Sequence, residues 1–296
     1  MLPLILARPA VVFAASLALL PMLAAGIVPE RFCAAVKGLP STARIIVPGM
    51  LFVPYALTAL AVGRFSAYWL AVYALLPVFI AWMTEQAAKS DPEQRGNWRD
   101  YLLLAGLGLA VDLRWLEPAW PNGLTAMGKM LLVDAGIYGF LGVRQLRGVG
   151  FDIRLRLSDL RKGLREFLYY APIAIPLGLL LGFLHFRAGW PTLSQSLVAY
   201  LFTFFFIAIP EELYFRGWVQ NLLERRMSRG SSLLITSVLF GLAHWNKRTT
   251  SFNWEYVLLA TLAGIFYGRA WRAEKRVGAS AITHATVDTM WSLWLK

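Results

Sequence analysis

Cysteine and histidine are nearly absent from this chain of 296 residues, which has one cysteine, Cys33, and three histidines, His185, His244 and His284. A lone cysteine excludes an intramolecular disulfide and any cysteine-based zinc cluster, so a metal bound here would need histidine and carboxylate ligands. Charge is scarce as well. Charged residues make up 16% of the sequence, against roughly 25% in an ordinary soluble domain. No internal repeat and no low-complexity tract is evident, which argues against the pseudo-symmetric halves common in transporters. The first apolar stretch, 10–28, follows Arg8 but lacks a clear small-residue cleavage pattern. It reads as an uncleaved membrane span rather than a secretory signal.

What the chain does have is apolar sequence: 58% of its residues are hydrophobic. Candidate spans, each near the roughly 20 apolar residues that cross a bilayer, fall at 9–28, 46–63, 67–84, 123–142, 167–186, 196–212, 231–245, 254–271 and 279–295. The stretch 101–117 is apolar only over 101–111 and then meets Asp112, Arg114 and Glu117. The expected architecture is all-α, a polytopic transmembrane bundle of about eight to ten helices. Tryptophans at the ends of apolar runs, Trp69, Trp190, Trp254 and Trp271, suit the aromatic belts at headgroup depth.

The net charge of +12 sits in short connectors and forms no long basic stripe, so a nucleic-acid partner is not expected. The break at 143–166 carries Arg144, Arg147, Arg154, Arg156, Arg161, Lys162 and Arg165 against three acidic residues, which places it on the cytoplasmic face. Leu157, Leu160, Leu164 and Phe167 recur in this break at spacings of three and four, the stripe of an interfacial amphipathic helix. The break also divides the chain into an N-terminal transmembrane bundle, 1–150, and a second module, 151–296. Counting onward, the connectors at 224–230 and 269–278 return to the cytoplasm, and the 246–253 loop with Lys247 and Arg248 lies outside.

Ionisable side chains within spans are costly and generally functional. Three groups stand out in the second module: Glu211-Glu212-Leu-Tyr-Phe-Arg216 after Pro210, Phe240-Gly-Leu-Ala-His244, and His284-Ala-Thr-Val-Asp288. Each has a plain structural reading. Pro-Glu-Glu is also a helix start favoured by the dipole, His244 beside Trp245 and Lys247 suits an interface, and His284 with Asp288 is an i, i+4 pair. Together they align in depth. At about 1.5 Å per residue, Glu211 lies roughly 21 Å from Arg225, His244 roughly 22 Å from Arg229 and Asp288 roughly 18 Å from Arg276. Arg216 can pair with Glu212 one turn away, which leaves Glu211 as the free carboxylate. One carboxylate and two imidazoles in a low-dielectric cavity are what peptide hydrolysis needs. A base takes the proton of the attacking water, and the remaining donors stabilise the tetrahedral oxyanion.

At these residues the sequence resembles the CAAX-protease and bacteriocin-processing family of intramembrane proteases, the type II CAAX prenyl endopeptidase or Abi family. That family carries Glu-Glu-x-x-x-Arg, Phe-x-x-x-His and His-x-x-x-Asn/Asp in this order on successive helices. The likeness covers roughly 150–296. It implies Glu211 as catalytic base, His244 as its partner in activating water, and His284 with Asp288 as the oxyanion-stabilising pair, with Glu212 and Arg216 holding the first helix and Phe240 supporting. It also implies a membrane-embedded or lipid-associated peptide substrate, a bilayer environment such as a bacterial inner membrane, and no obligatory cofactor. Asp288 stands where a member with Asn offers an amide donor, and an ionised Asp288 would suit a metal better. Zinc on Glu211, His244, His284 and Asp288 is therefore the alternative. The competing class is a non-catalytic membrane protein, a proton-coupled transporter or a degenerate scaffold.

The remaining features have structural readings. Gly264-x-x-x-Gly268 reads as a close helix-packing site, His185 as interfacial, and Pro172 and Pro176 as bends. Lys129 and Asp134 are intramembrane charges facing a bundle interior. The region 1–150 offers no second active site.

Overall fold

The computed structural model describes residues 8–247, 249 and 251–295, so Arg248 lies outside the described residues. Among those residues there are eleven helices and no strand, the all-α bundle expected. They divide into two compact units, Met1–Arg147 and Gly148–Lys296. Five helices are long and apolar enough to cross a membrane, and the chain is an integral membrane protein.

The first unit holds α1 (Pro9–Ile27), α2 (Pro29–Gly38), α3 (Ser41–Val62), α4 (Ala67–Ser90), α5 (Trp98–Asp112) and α6 (Ala126–Val143). Four of the five apolar spans are here: α1, α3, α4 and α6. Helix α6 is the most enclosed of them, buried over most of its length. The stretch left open at 101–117 becomes α5 because Asn97 and Asp100 form a reciprocal capping box at its start, satisfying two of the orphan N–H groups of the first turn. Arg144 closes the unit, with Nε 3.1 Å from Asp100 and Nη2 2.6 Å from Asp91. The two intramembrane charges of α6 differ. Lys129 pairs with Glu117 at 3.3 Å and is half-exposed, whereas Asp134 is fully buried.

The second unit holds α7 (Leu157–Leu180), α8 (Leu193–Leu223), α9 (Arg229–Leu242), α10 (Trp254–Glu274) and α11 (Val277–Trp294). The amphipathic stripe at 157–167 leads straight into the following apolar stretch and forms the first three turns of α7. That helix stops at Leu180, short of the expected 186, at Gly182 with φ +69°, the left-handed conformation that glycine adopts freely. Helix α8 is the fifth of the apolar spans. It passes through wide i→i+5 turns at Phe204–Ala208 and Leu213–Gln220. Pro210 cannot donate to the helix ladder, and a wide turn just before it absorbs the mismatch. Helix α9 is 14 residues long, about 21 Å, too short to cross a hydrocarbon layer of roughly 30 Å.

Tyr170, Phe215, Phe240, Ala263 and Phe266 are among the side chains of a core shared by α7, α8, α9 and α10. Small residues let the helices approach. A Cβ at Gly241 would stand 2.0 Å from Thr261 Oγ1 and 2.6 Å from the Val257 carbonyl, and one at Gly264 would stand 3.0 Å from Ser237 Cα. The packing role read for Gly264 is thus met by α9. Helix α11 is buried continuously from Val277 to Ala285, and Thr283 Oγ1 donates to the Gly163 carbonyl of α7 at 3.0 Å.

One end of this unit gathers the three basic connectors. Arg276, at the start of α11, donates through Nε to Asp159 at 2.8 Å and through Nη1 to Asp152 at 3.0 Å. Glu224 accepts from Lys275 at 2.7 Å and from Arg272. These contacts join 148–159, 224–230 and 269–278 at a single end, as the count along the chain requires. His185 and Arg187 meet Leu295 and Trp294 at the other.

Candidate active site

The site starts from α8, where consecutive glutamates point in different directions and acquire different surroundings. Glu212 is fully buried and accepts from Arg216 Nε at 3.0 Å, one turn along the same helix. Its Oε1 lies 2.8 Å from His284 Nδ1 and its Oε2 accepts from the Ser280 hydroxyl. Since a carboxylate only accepts, the proton in the first contact belongs to Nδ1 of His284. Arg216 is itself fully buried, and its guanidinium lies 5.4 Å from the centroid of the Phe240 ring. Glu211, about 100° further round the helix, has no such clamp. Its Oε2 is buried without a hydrogen-bond partner, 3.9 Å from His284 Nε2.

The second imidazole comes from α9. The expected span 231–245 is corrected here: α9 ends at Leu242, and His244 lies in the turn that follows, its N–H on the Gly241 carbonyl at 2.9 Å. Its Nδ1 is 2.8 Å from the Phe240 carbonyl. A carbonyl also only accepts, so Nδ1 carries the proton and Nε2 is left as an acceptor. The Phe240 ring stands between the two imidazoles, with centroids 4.9 Å from His244 and 5.6 Å from His284.

Helix α11 brings the third group. His284 and Asp288 face the same way one turn apart, Nε2 to Oδ2 at 3.4 Å. Tyr267 of α10 stacks on the His284 ring at 4.7 Å with 15° between the planes. His244, His284 and Asp288 all border one cavity of about 70 Å³, otherwise lined mainly by aromatic and aliphatic side chains such as Tyr170, Phe183, Tyr256 and Trp291.

The structure therefore brings all seven residues singled out in the sequence into one neighbourhood. Glu211 and His244 are not bonded to each other; Glu211 approaches the His284 imidazole instead. Two members escaped the sequence reading, Ser280 and Tyr267. Ser280 had a signal, since 280, 284 and 288 are spaced one turn apart on α11. Tyr267 had none, because its stacking depends on how α10 crosses α11. Among the described residues no three His, Cys, Asp or Glu side chains stand arranged to hold a metal ion.

Fold and site together define an integral membrane protein whose helical bundle encloses a Glu/His cluster beside an apolar cavity. Residues 191–290 match the family model described as Rce1-like, Type II CAAX prenyl endopeptidase Rce1-like. The matched stretch opens just before α8 and closes within α11, so it contains every motif of the site, and over it the chain is similar to the family recognised in the sequence. No curated protein and no solved structure gives a significant match.

Proposed function

We propose that this chain is an intramembrane endopeptidase that hydrolyses a peptide bond of a membrane-associated substrate with Glu/His-activated water. One observation carries the reading. Glu211 presents an unpartnered carboxylate oxygen beside His284, which borders a cavity shared with His244 and Asp288. Glu212, the other acidic group on that turn of α8, is already engaged.

In this reading a water molecule held between Glu211 and His244 Nε2 loses its proton to Glu211 as its oxygen attacks the scissile carbonyl. The carbonyl oxygen becomes an oxyanion, and the His284–Asp288 pair offers it the proton shared between Nε2 and Oδ2. The proton on Glu211 then passes to the departing amide nitrogen, the C–N bond breaks, and a carboxylic acid and an amine are released, the acid's proton passing on to the amine to give a carboxylate and an ammonium. Exclusion of bulk water strengthens each of these interactions. The cavity's lining suits a substrate segment that arrives from the lipid phase with apolar side chains or a lipid chain attached. The residues supply base and oxyanion donors without a metal.

The test is cleavage of membrane-tethered peptides by purified protein in nanodiscs, comparing wild type with Glu211→Ala and His244→Ala, each with and without a chelator. Cleavage lost in both variants and unaffected by chelator is the expected result. Loss with chelator and recovery with zinc would replace the metal-free mechanism. Absence of cleavage, or variants that cut as well as wild type, would favour the non-catalytic class.

A further inference from the structure

Ser280 and Tyr267 stand directly behind this cluster, and neither belongs to the three motifs. Ser280 is fully buried, one turn before His284 on α11. Its hydroxyl contacts Glu212 Oε2 and the Tyr267 carbonyl, the latter at 3.0 Å, so one hydroxyl links α8, α10 and α11. Tyr267 is 1% exposed. Its ring covers one face of the His284 imidazole, and the Phe240 ring meets that imidazole edge-on, at 89°.

Resting on the endopeptidase reading, we propose that Ser280 and Tyr267 are positioning residues that hold the His284 Nδ1–H on Glu212 and the ring in one orientation. The argument follows the bonds outward. Arg216 and Ser280 both engage Glu212 Oε2, which turns Oε1 toward His284 Nδ1. That contact keeps the proton on Nδ1 and directs Nε2 at Asp288 and Glu211. A hydrogen bond of this kind alone leaves the ring free to tilt about its axis. The stacked Tyr267 ring removes that freedom, since offset-stacked aromatic pairs have a defined geometry. An imidazole fixed at both its edge and its face is preorganised, and preorganisation is where polar catalysis gains most.

The chain's three histidines make the test direct. In ¹⁵N-histidine-labelled protein in nanodiscs, the His284 signals are assigned by substituting His185 and His244, and Ser280→Ala, Ser280→Thr, Tyr267→Leu and Tyr267→Phe are compared with wild type. The expected result is a single His284 form in wild type, protonated at Nδ1 with Nε2 facing Asp288, more than one form in Ser280→Ala, and recovery in Ser280→Thr. For cleavage, a displacement of this order corresponds to roughly a 10–100-fold fall in kcat with KM within about twofold. The same fall is expected in Tyr267→Leu and not in Tyr267→Phe, which keeps the stacked ring. Ser280→Ala protein with wild-type histidine signals and wild-type kcat would overturn the proposal while leaving the protease reading intact. If no variant cleaves and wild type does not either, the protease reading fails, and the ¹⁵N signals still decide whether Ser280 holds the His284 Nδ1–H on Glu212. Should Ser280→Ala not fold, equal kcat in Tyr267→Leu and Tyr267→Phe would overturn the positioning role of the ring.

Discussion

Two adjacent glutamates with opposite fates carry most of the chemistry at the scale of single residues. Glu212 accepts from Arg216, Ser280 and His284 inside the bundle, so its carboxylate is structural, and losing it leaves the buried Arg216 charge uncompensated. Glu212→Gln is expected to lower stability by about 3–5 kcal/mol, the usual result of breaking a buried pair from one side, read as thermal unfolding in detergent. Glu211→Gln removes a carboxylate oxygen that has no partner. It should leave unfolding near that of wild type and reduce kcat by roughly 10²–10⁴, the range for loss of a general base. A Glu211→Gln variant as unstable as Glu212→Gln would show that both carboxylates serve the fold. This division is legible in the i, i+4 spacing, because a helix places residue 216 over 212 and turns 211 away. The link from Glu212 to His284 is not, since 72 residues separate them and only the crossing of α8 and α11 makes them neighbours.

Short and irregular helices do the positioning at the scale of elements. Helix α9 is about two turns shorter than a full span, and the turn after it carries His244. That end is set by how closely α9 packs on α10 through Gly241. A methyl group there meets the Thr261 side chain and the Val257 backbone carbonyl. Gly241→Ala is expected to cost about 1–3 kcal/mol and, by displacing a helix end two residues before His244, to lower cleavage more than that loss of stability explains. Equal activity per folded molecule would count against it. Helix α11 is anchored at its start by Arg276, held between Asp159 and Asp152. Arg276→Ala removes the cation from a fully buried Asp159 and should destabilise the second unit by about 3–5 kcal/mol, measurable as a drop in Tm. The wide turns of α8 had a partial signal in Pro210, which makes a break expected without saying of what kind.

The whole molecule keeps its charge at connectors, and this makes its stability depend on acid. Burial raises the Asp152 carboxyl, but hydrogen bonds from Arg154 and Arg276 outweigh it and hold the group down, from 3.8 to about 2. A carboxyl depressed in the folded state contributes stability that is complete above its unfolded value and disappears as pH falls through its folded one. The contribution is therefore intact above about pH 5 and lost between about pH 4 and pH 2, amounting to about 2 kcal/mol. Glu224, lowered in the same sense by Lys275, Arg272 and Gln220 after burial has raised it, acts in the same direction. Thermal unfolding followed from about pH 6 to pH 2 should show Tm falling below about pH 4, with a smaller fall in Asp152→Asn. Identical profiles for the two proteins would sink the assignment.

Composition and local pattern determined that this is a helical membrane protein, roughly where most of its helices lie, which connectors share a face, and that Glu211, His244 and Asp288 align in depth. These follow from forces that act along the chain: the cost of polar groups in lipid, the helical repeat and the rise per residue. Tertiary structure decided the rest. It turned Glu212 to His284, left Glu211 Oε2 without a hydrogen bond, and set Tyr267 against the imidazole. Each depends on the angle and depth at which helices cross, which is fixed by small residues and buried hydrogen bonds on different helices, and no local spacing encodes that.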